Sequence, residues 1–245
     1  MKLTVTTPCF QEIRFVKAWI QNLRDWGADQ VIVSEGGSTD GTREALELAQ
    51  KQYGYDWLII LDHPQYADPM RYGFHEGERR QKLADAVTGG LQVLCDVDEM
   101  LPDDFRVIVQ ECLPEGYFGT INMLNFWRSP MYIRIGVPKD EHWGPMHKYL
   151  IFPAGSMKWD NQPNHSQILC DLPMARLKGA KFHYHYLYAK QKSFENRRAE
   201  MGGIYGAVAT LDIALKPISC EHPKALALLE EKLRFADLLP ENLRQ

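Results

Sequence analysis

The chain has 245 residues, 45% of them apolar and 24% charged, with a formal net charge of −4. That length can bury a substantial core in one catalytic unit, and the charge balance excludes both a nucleic-acid footprint and a polybasic membrane anchor. No window approaches the roughly 18 apolar residues a membrane span requires, and the opening MKLTVTTPCF has too few apolar residues for a signal peptide.

Residues 2–7 alternate and are β-branched, and Pro8 predicts the end of a first strand. Residues 12–26 set Phe15, Val16, Trp19, Ile20, Leu23 and Trp26 on one helical face, closed by Gly27. A strand at 30–33, a glycine-rich loop at 34–41 and an amphipathic helix at 42–53 follow. Next come a strand at 57–61, a polar and aromatic loop at 62–75, a helix near 76–88, and a strand at 91–95 running into Asp96. Strands alternating with helices predict an α/β fold on a mostly parallel sheet, with its ligand crevice at the carboxyl ends of the strands. The loops 7–12, 34–41 and 96–99 therefore converge, with Thr7 and Gly37 among the candidate nucleotide-binding residues there.

After Pro102 a helix at 103–112 gives way to strand-like, aromatic-rich stretches at 117–135 and 147–153. Residues 154–178 read as irregular, residues 180–188 alternate as a strand, and helices are expected near 190–202 and 223–236. There is no internal repeat or flexible linker, so residues 1–105 and 106–245 are expected as a nucleotide-binding half and an acceptor-side half of one structural domain. The five cysteines, Cys9, Cys95, Cys112, Cys170 and Cys220, are odd in number and contain no CxxC pair. They read as reduced thiols in a cytoplasmic protein, neither a disulfide framework nor a zinc knuckle.

Two constellations carry chemistry. In Ser34-Glu35-Gly36-Gly37-Ser38-Thr39-Asp40-Gly41-Thr42 the glycines let backbone approach a ligand and Asp40 can cap the next helix. A tight strand-to-helix turn explains that stretch equally well. In Asp96-Val97-Asp98-Glu99, carboxylates one residue apart leave a buried strand, where they can grip a hard cation beside a diphosphate. Taken alone, that tetrapeptide suits a solvated acidic turn better.

Together and in this order the motifs resemble the family 2 glycosyltransferases of GT-A fold. That family's first strand runs into Pro-x-aromatic-Asn-Glu, where this chain has Pro8-Cys9-Phe10-Gln11-Glu12. Its acidic Gly-Ser-Thr-Asp-Gly-Thr signature is matched from Glu35 to Thr42, its Arg-containing helix start by Arg79-Arg80, and its metal strand by Asp96-Val97-Asp98-Glu99. The resemblance covers about residues 3–105, with Gln11 standing for the usual Asn and Glu35 for the usual Asp. It implies a GT-A, Rossmann-like sheet flanked by helices, an inverting reaction, a UDP-sugar donor and Mn²⁺ or Mg²⁺ as cofactor. Pro8, Glu12 and Glu35 would contact base and ribose, Arg79 the base or diphosphate, and Asp96 with Asp98 the sugar-nucleotide and metal.

His183-Tyr184-His185 lies on an alternating strand that puts both imidazoles on one face, where they can ligate a divalent ion or touch the diphosphate. Some relatives carry a late His-Tyr element, and by that match His185 is the preferred third ligand. An inverting transfer needs a base at the acceptor hydroxyl. Related enzymes carry an acid in the acceptor loop, where this chain has Asn164-His165-Ser166, so Asp160 and His165 are the candidates. Phe126-Trp127, Trp143, Trp159 and Tyr186 offer stacking faces for a carbohydrate or glycolipid-type acceptor, with Trp143 and Trp159 preferred, although core packing explains most of the set equally well.

Two other readings stay open. A nucleotidyltransferase on a similar sheet would carry a glycine-rich loop with a basic residue after the first strand, which residues 8–12 lack. A non-catalytic nucleotide-sugar-binding module is compatible with the missing acid beside His165.

Overall fold

The first four strands are β1 (Leu3–Cys9), β2 (Gln30–Glu35), β3 (Leu58–Asp62) and β4 (Leu91–Leu94), all parallel and ordered β3-β2-β1-β4. α1 (Ile13–Asp25), α2 (Thr42–Tyr53) and α3 (Glu76–Asp85) connect them in turn. The computed structural model describes residues 1–63, 76–125, 132–134, 146–160, 166–184 and 215–217. β1 and β2 are buried almost throughout, because helices cover both faces of such a sheet. α1 buries Val16, Trp19, Ile20 and Leu23 in that core, and Gly27 takes the left-handed φ of +82° just beyond its end.

β1 runs through Pro8 to Cys9, where the sequence predicts a stop. Its pairing with β4 ends opposite Leu94 at Thr6, so further on it has a strand neighbour on one side only, and a residue without an N–H is tolerated there.

The second half continues the same sheet. β5 (Glu99–Met100) follows the acidic turn and α4 (Phe105–Cys112) the next loop; then come β6 (Phe118–Asn125), β7 (Tyr132–Arg134), β8 (Met146–Pro153), β9 (Lys158–Trp159), β10 (Ile168–Leu169), β11 (Met174–His183) and β12 (Leu215–Pro217). β8 is antiparallel to both β4 and β6, β11 is parallel to β6, and β5 closes the row antiparallel to β11. One mostly parallel eight-stranded sheet, β3-β2-β1-β4-β8-β6-β11-β5, thus spans both halves of the sequence, while β9–β10 and β7–β12 form small two-stranded sheets.

The stretch 154–178 is less irregular than its composition suggests. It contains β9, β10 and the first part of β11, which begins at Met174. Its alternation is masked by a register shift between Arg176 and Ala180, where Gly179 has φ of +87°. The helices expected near 190–202 and 223–236 lie outside the described residues. Among the described residues no helix is long and apolar enough to cross a membrane.

Candidate active site

Three loops meet at the carboxyl ends of β1, β2 and β4. In the first, Gln11 sits at φ +58°, an uncommon conformation for a residue with a long side chain. Contacts to the second loop hold it there. Its backbone N–H donates to Ser38 Oγ at 3.0 Å, its Nε2 donates to Thr39 Oγ1 at 3.0 Å, and its Oε1 accepts the Thr39 N–H at 3.3 Å. Asp40 joins two helix starts, accepting the Ile13 N–H at 3.1 Å through one oxygen and the Thr42 N–H at 3.0 Å through the other. The Glu12 N–H donates to Thr42 Oγ1 at 2.8 Å, so loops 10–13 and 37–42 are one unit.

Glu35, 2% exposed, folds back on its own loop and accepts the N–H groups of Gly37 at 2.9 Å and Ser38 at 2.8 Å. Burial alone would raise its carboxyl pKa. The Ser38 hydroxyl, those two amides and the nearby Arg43 outweigh burial and hold it below the ordinary range. Beside it Arg79, on α3, donates from Nε to Ser34 Oγ at 2.6 Å and from Nη2 to Ser34 O at 2.7 Å. Burial lowers its guanidinium to about 10 against the pull of Cys9 and Glu35. The imidazole of His63, at the end of β3, shares the same Ser34 hydroxyl at 2.8 Å. Pro8 ends this wall, and Thr7 Oγ1 donates to Asp96 Oδ1 at 3.3 Å.

The acidic turn is anchored from four directions. Asp96 N–H donates to Glu99 Oε2 at 2.9 Å, and that oxygen also accepts Lys181 Nζ at 2.7 Å from β11. Asn22 of α1 pairs with both backbone groups of Leu101, at 2.8 and 2.9 Å. Arg80 donates to both oxygens of Asp96, at 3.2 and 3.1 Å, and to Glu76 at 2.8 Å, with its guanidinium 5.2 Å over the Trp159 ring. Burial would push the Asp96 carboxyl up, yet Arg80 outweighs it and keeps the group below its ordinary value. The resemblance matches Arg79-Arg80 but gives a role to Arg79; its neighbour Arg80 is the residue that grips Asp96.

β5 pairs with β11, setting His183 opposite Glu99 and bringing His183 Nε2 within 3.3 Å of Asp98 Oδ2. The Tyr184 N–H donates to Asp98 O at 2.8 Å. Burial opposes the His183 imidazolium, but Asp98 and then Glu99 raise its pKa overall. Asp96 and Asp98 thus belong to one turn, and His183 faces the second of them. Among the described residues no three His, Cys, Asp or Glu side chains gather as a complete cation site.

A cavity of about 510 Å³ opens beside Asp96, walled by α3, β6, β8, β11 and the β9–β10 hairpin, with Trp159, Tyr149 and Lys148 among its lining residues. Asp160 lies in that hairpin but not on the cavity wall, and its Oδ1 accepts the Gln167 N–H at 2.8 Å. Trp143, His165 and His185 lie outside the described residues.

No family model matches the sequence, and no curated protein matches it. Solved structures do. S. aureus TarS 1–349 in complex with UDP superposes with a TM-score of 0.52 at 14% identity, over 95% of this chain and 71% of that one. The UDP-GlcNAc complex of the same protein gives 0.50 at 14% identity, over 95% and 72%. Glucosyl-3-phosphoglycerate synthase from Mycobacterium tuberculosis overlaps 51% of this chain and 44% of its own length, at 20% identity and a TM-score of 0.37. The sheet order and the superposition on TarS agree: this chain has the GT-A glycosyltransferase fold.

Proposed function

We propose that the chain transfers a sugar from a nucleoside-diphosphate donor, a UDP-sugar, to a hydroxyl of a carbohydrate-type acceptor, with inversion and with Mn²⁺ or Mg²⁺ as cofactor. The observation that carries this reading is the placement of Asp96-Val97-Asp98. The turn leaves β4 between the Glu35 loop and His183, braced by Arg80 and Glu99, at the mouth of a cavity large enough for an acceptor. The UDP and UDP-GlcNAc complexes of TarS, which shares the fold, favour a uridine donor.

In this reading Thr7, Pro8, Glu12, Glu35, Gly37 and Arg79 line the nucleoside, and Asp96 orients the donor. Asp98 would supply the carboxylate that Mn²⁺ and Mg²⁺ prefer, and His183 an imidazole that the transition ion Mn²⁺ accepts more readily than Mg²⁺. Diphosphate oxygens, water and His185 would complete the shell. The ion would neutralise charge on the leaving diphosphate. Trp159, with Trp143, would stack on the acceptor. Asp160, whose Oδ1 accepts the Gln167 N–H, and His165 are the candidate bases at the acceptor hydroxyl. Cys9, Cys95, Cys112 and Cys170 are unbridged, which suits a reducing, cytoplasmic setting.

The test is thermal stabilisation by a panel of nucleotides and nucleotide-sugars, with and without Mn²⁺. A uridine diphosphate should raise Tm only with the metal, and Asp98→Ala should abolish the increase. Stabilisation by no nucleotide would sink the reading. Binding without hydrolysis or transfer of any donor would leave a non-catalytic module.

A further inference from the structure

We infer that the cavity beside Asp96 takes an acceptor that carries an oxyanion as well as a hydroxyl, and that Lys148 is the residue that recognises the oxyanion. The inference rests on the glycosyltransferase reading above and names the class of its second substrate.

Among the described residues, the charges on the cavity wall pair off with one exception. Arg80 is committed to Glu76 and Asp96, Lys181 to Glu99, and His183 to Asp98. Lys148, on β8, lines the same cavity and forms no hydrogen bond or ion pair with any described residue. On balance its surroundings disfavour an unanswered ammonium. Partial burial, then the neighbouring charge of Lys181, pull it below the ordinary lysine range despite Glu99 and Asp96. A bound oxyanion would relieve both effects.

Neutral recognition is also provided for. Tyr149, the next residue on β8, exposes half of its surface, and Trp159 lines the same space with Arg80 over its ring. A sugar or polyol can lie against these rings while its oxyanion meets Lys148 and its free hydroxyl approaches the donor at Asp96. Lys148 is no part of the nucleotide wall built from Glu35, Arg79 and the β1 loop, so its charge serves the second substrate.

The experiment is titration of the full chain, loaded with UDP and Mn²⁺, with glucose 6-phosphate, gluconate and glucose. An oxyanion sugar should bind about tenfold or more tightly than glucose, as a charge-assisted hydrogen bond allows, and the first two probes separate phosphate from carboxylate. Lys148→Gln should reduce that preference to within about twofold while UDP affinity and Tm stay near wild type, and Lys148→Arg should keep it. Raising NaCl on the wild-type protein gives an independent reading, because the preference should shrink with screening. Equal binding of all three probes to the wild type overturns the proposal. So does a preference that survives in Lys148→Gln, or an equal loss of UDP affinity, which would move Lys148 to the donor. If UDP fails to bind at all, the glycosyltransferase reading falls, and the same titration without nucleotide still decides whether Lys148 selects an oxyanion.

Discussion

Glu35 turns the glycine-rich loop into a preformed nest. Both of its oxygens accept backbone N–H groups from the two residues that follow Gly36, so the loop is held by a buried negative charge. Glu35→Gln keeps the shape but replaces one acceptor with an NH₂ that faces a donor, and it should cost about 1–3 kcal/mol. The effect has a defined pH dependence. The folded carboxyl titrates below its ordinary value of 4.5, so its contribution is complete above the unfolded value and is lost as pH falls through the folded one. Urea unfolding of wild type and Glu35→Gln should therefore differ most near neutral pH and converge under acid. A gap that stays constant from pH 7 to pH 3 would remove Glu35 from this role.

At the scale of elements, the packing of α3 against the β9–β10 hairpin depends on one missing side chain. A Cβ on Gly77 would fall 1.9 Å from the Asp160 carbonyl oxygen and 2.8 Å from Ser166 Oγ. Gly77→Ala raises helix propensity, yet it should destabilise the protein by about 1–3 kcal/mol because backbone must move. It should also disturb the cavity wall that Trp159 and Ser166 form, visible as a change in Trp fluorescence alongside the lower urea midpoint. Nothing in the sequence marks this contact, since its two partners lie more than 80 residues apart. The legible elements carry a sustained apolar signal: α1 and α2 bury one face at helical spacing, and β1 to β4 are short apolar or β-branched runs that are largely buried where they form the sheet. β5 has two residues, too few for any period, and the bulge near Gly179 hides the start of β11. The candidate site divides in the same way. Glu35, Asp96 and Asp98 are visible as motif residues at strand ends. Arg80 and Lys148 acquire meaning only when α3 and β8 converge on the cavity.

Across the whole molecule the two halves are joined behind the acidic turn by the buried pair Glu99–Lys181, 8% and 5% exposed. Burial disfavours the Lys181 ammonium, but Glu99, helped by Cys95 and Asp96, outweighs it, so its pKa lies above the ordinary lysine value. Such a pair is weak as a source of stability, because desolvation offsets most of the attraction, while breaking it leaves a buried charge unanswered. Its geometry suggests what it is for. The Glu99 oxygen that accepts Lys181 Nζ also accepts the Asp96 N–H, so β11 fixes the backbone of Asp96, the residue proposed to orient the donor. Lys181→Met alone should lower unfolding stability by about 3–5 kcal/mol. Glu99→Met with Lys181→Met should recover most of that loss, since no charge is stranded. The recovered protein should nevertheless bind UDP and Mn²⁺ about tenfold more weakly, because the Asp96 N–H has lost its acceptor. Paired urea and titration data on the double variant separate these roles: recovery of stability and affinity together would show the pair to be ordinary packing, whereas stability without affinity shows that the acceptor half positions the donor site.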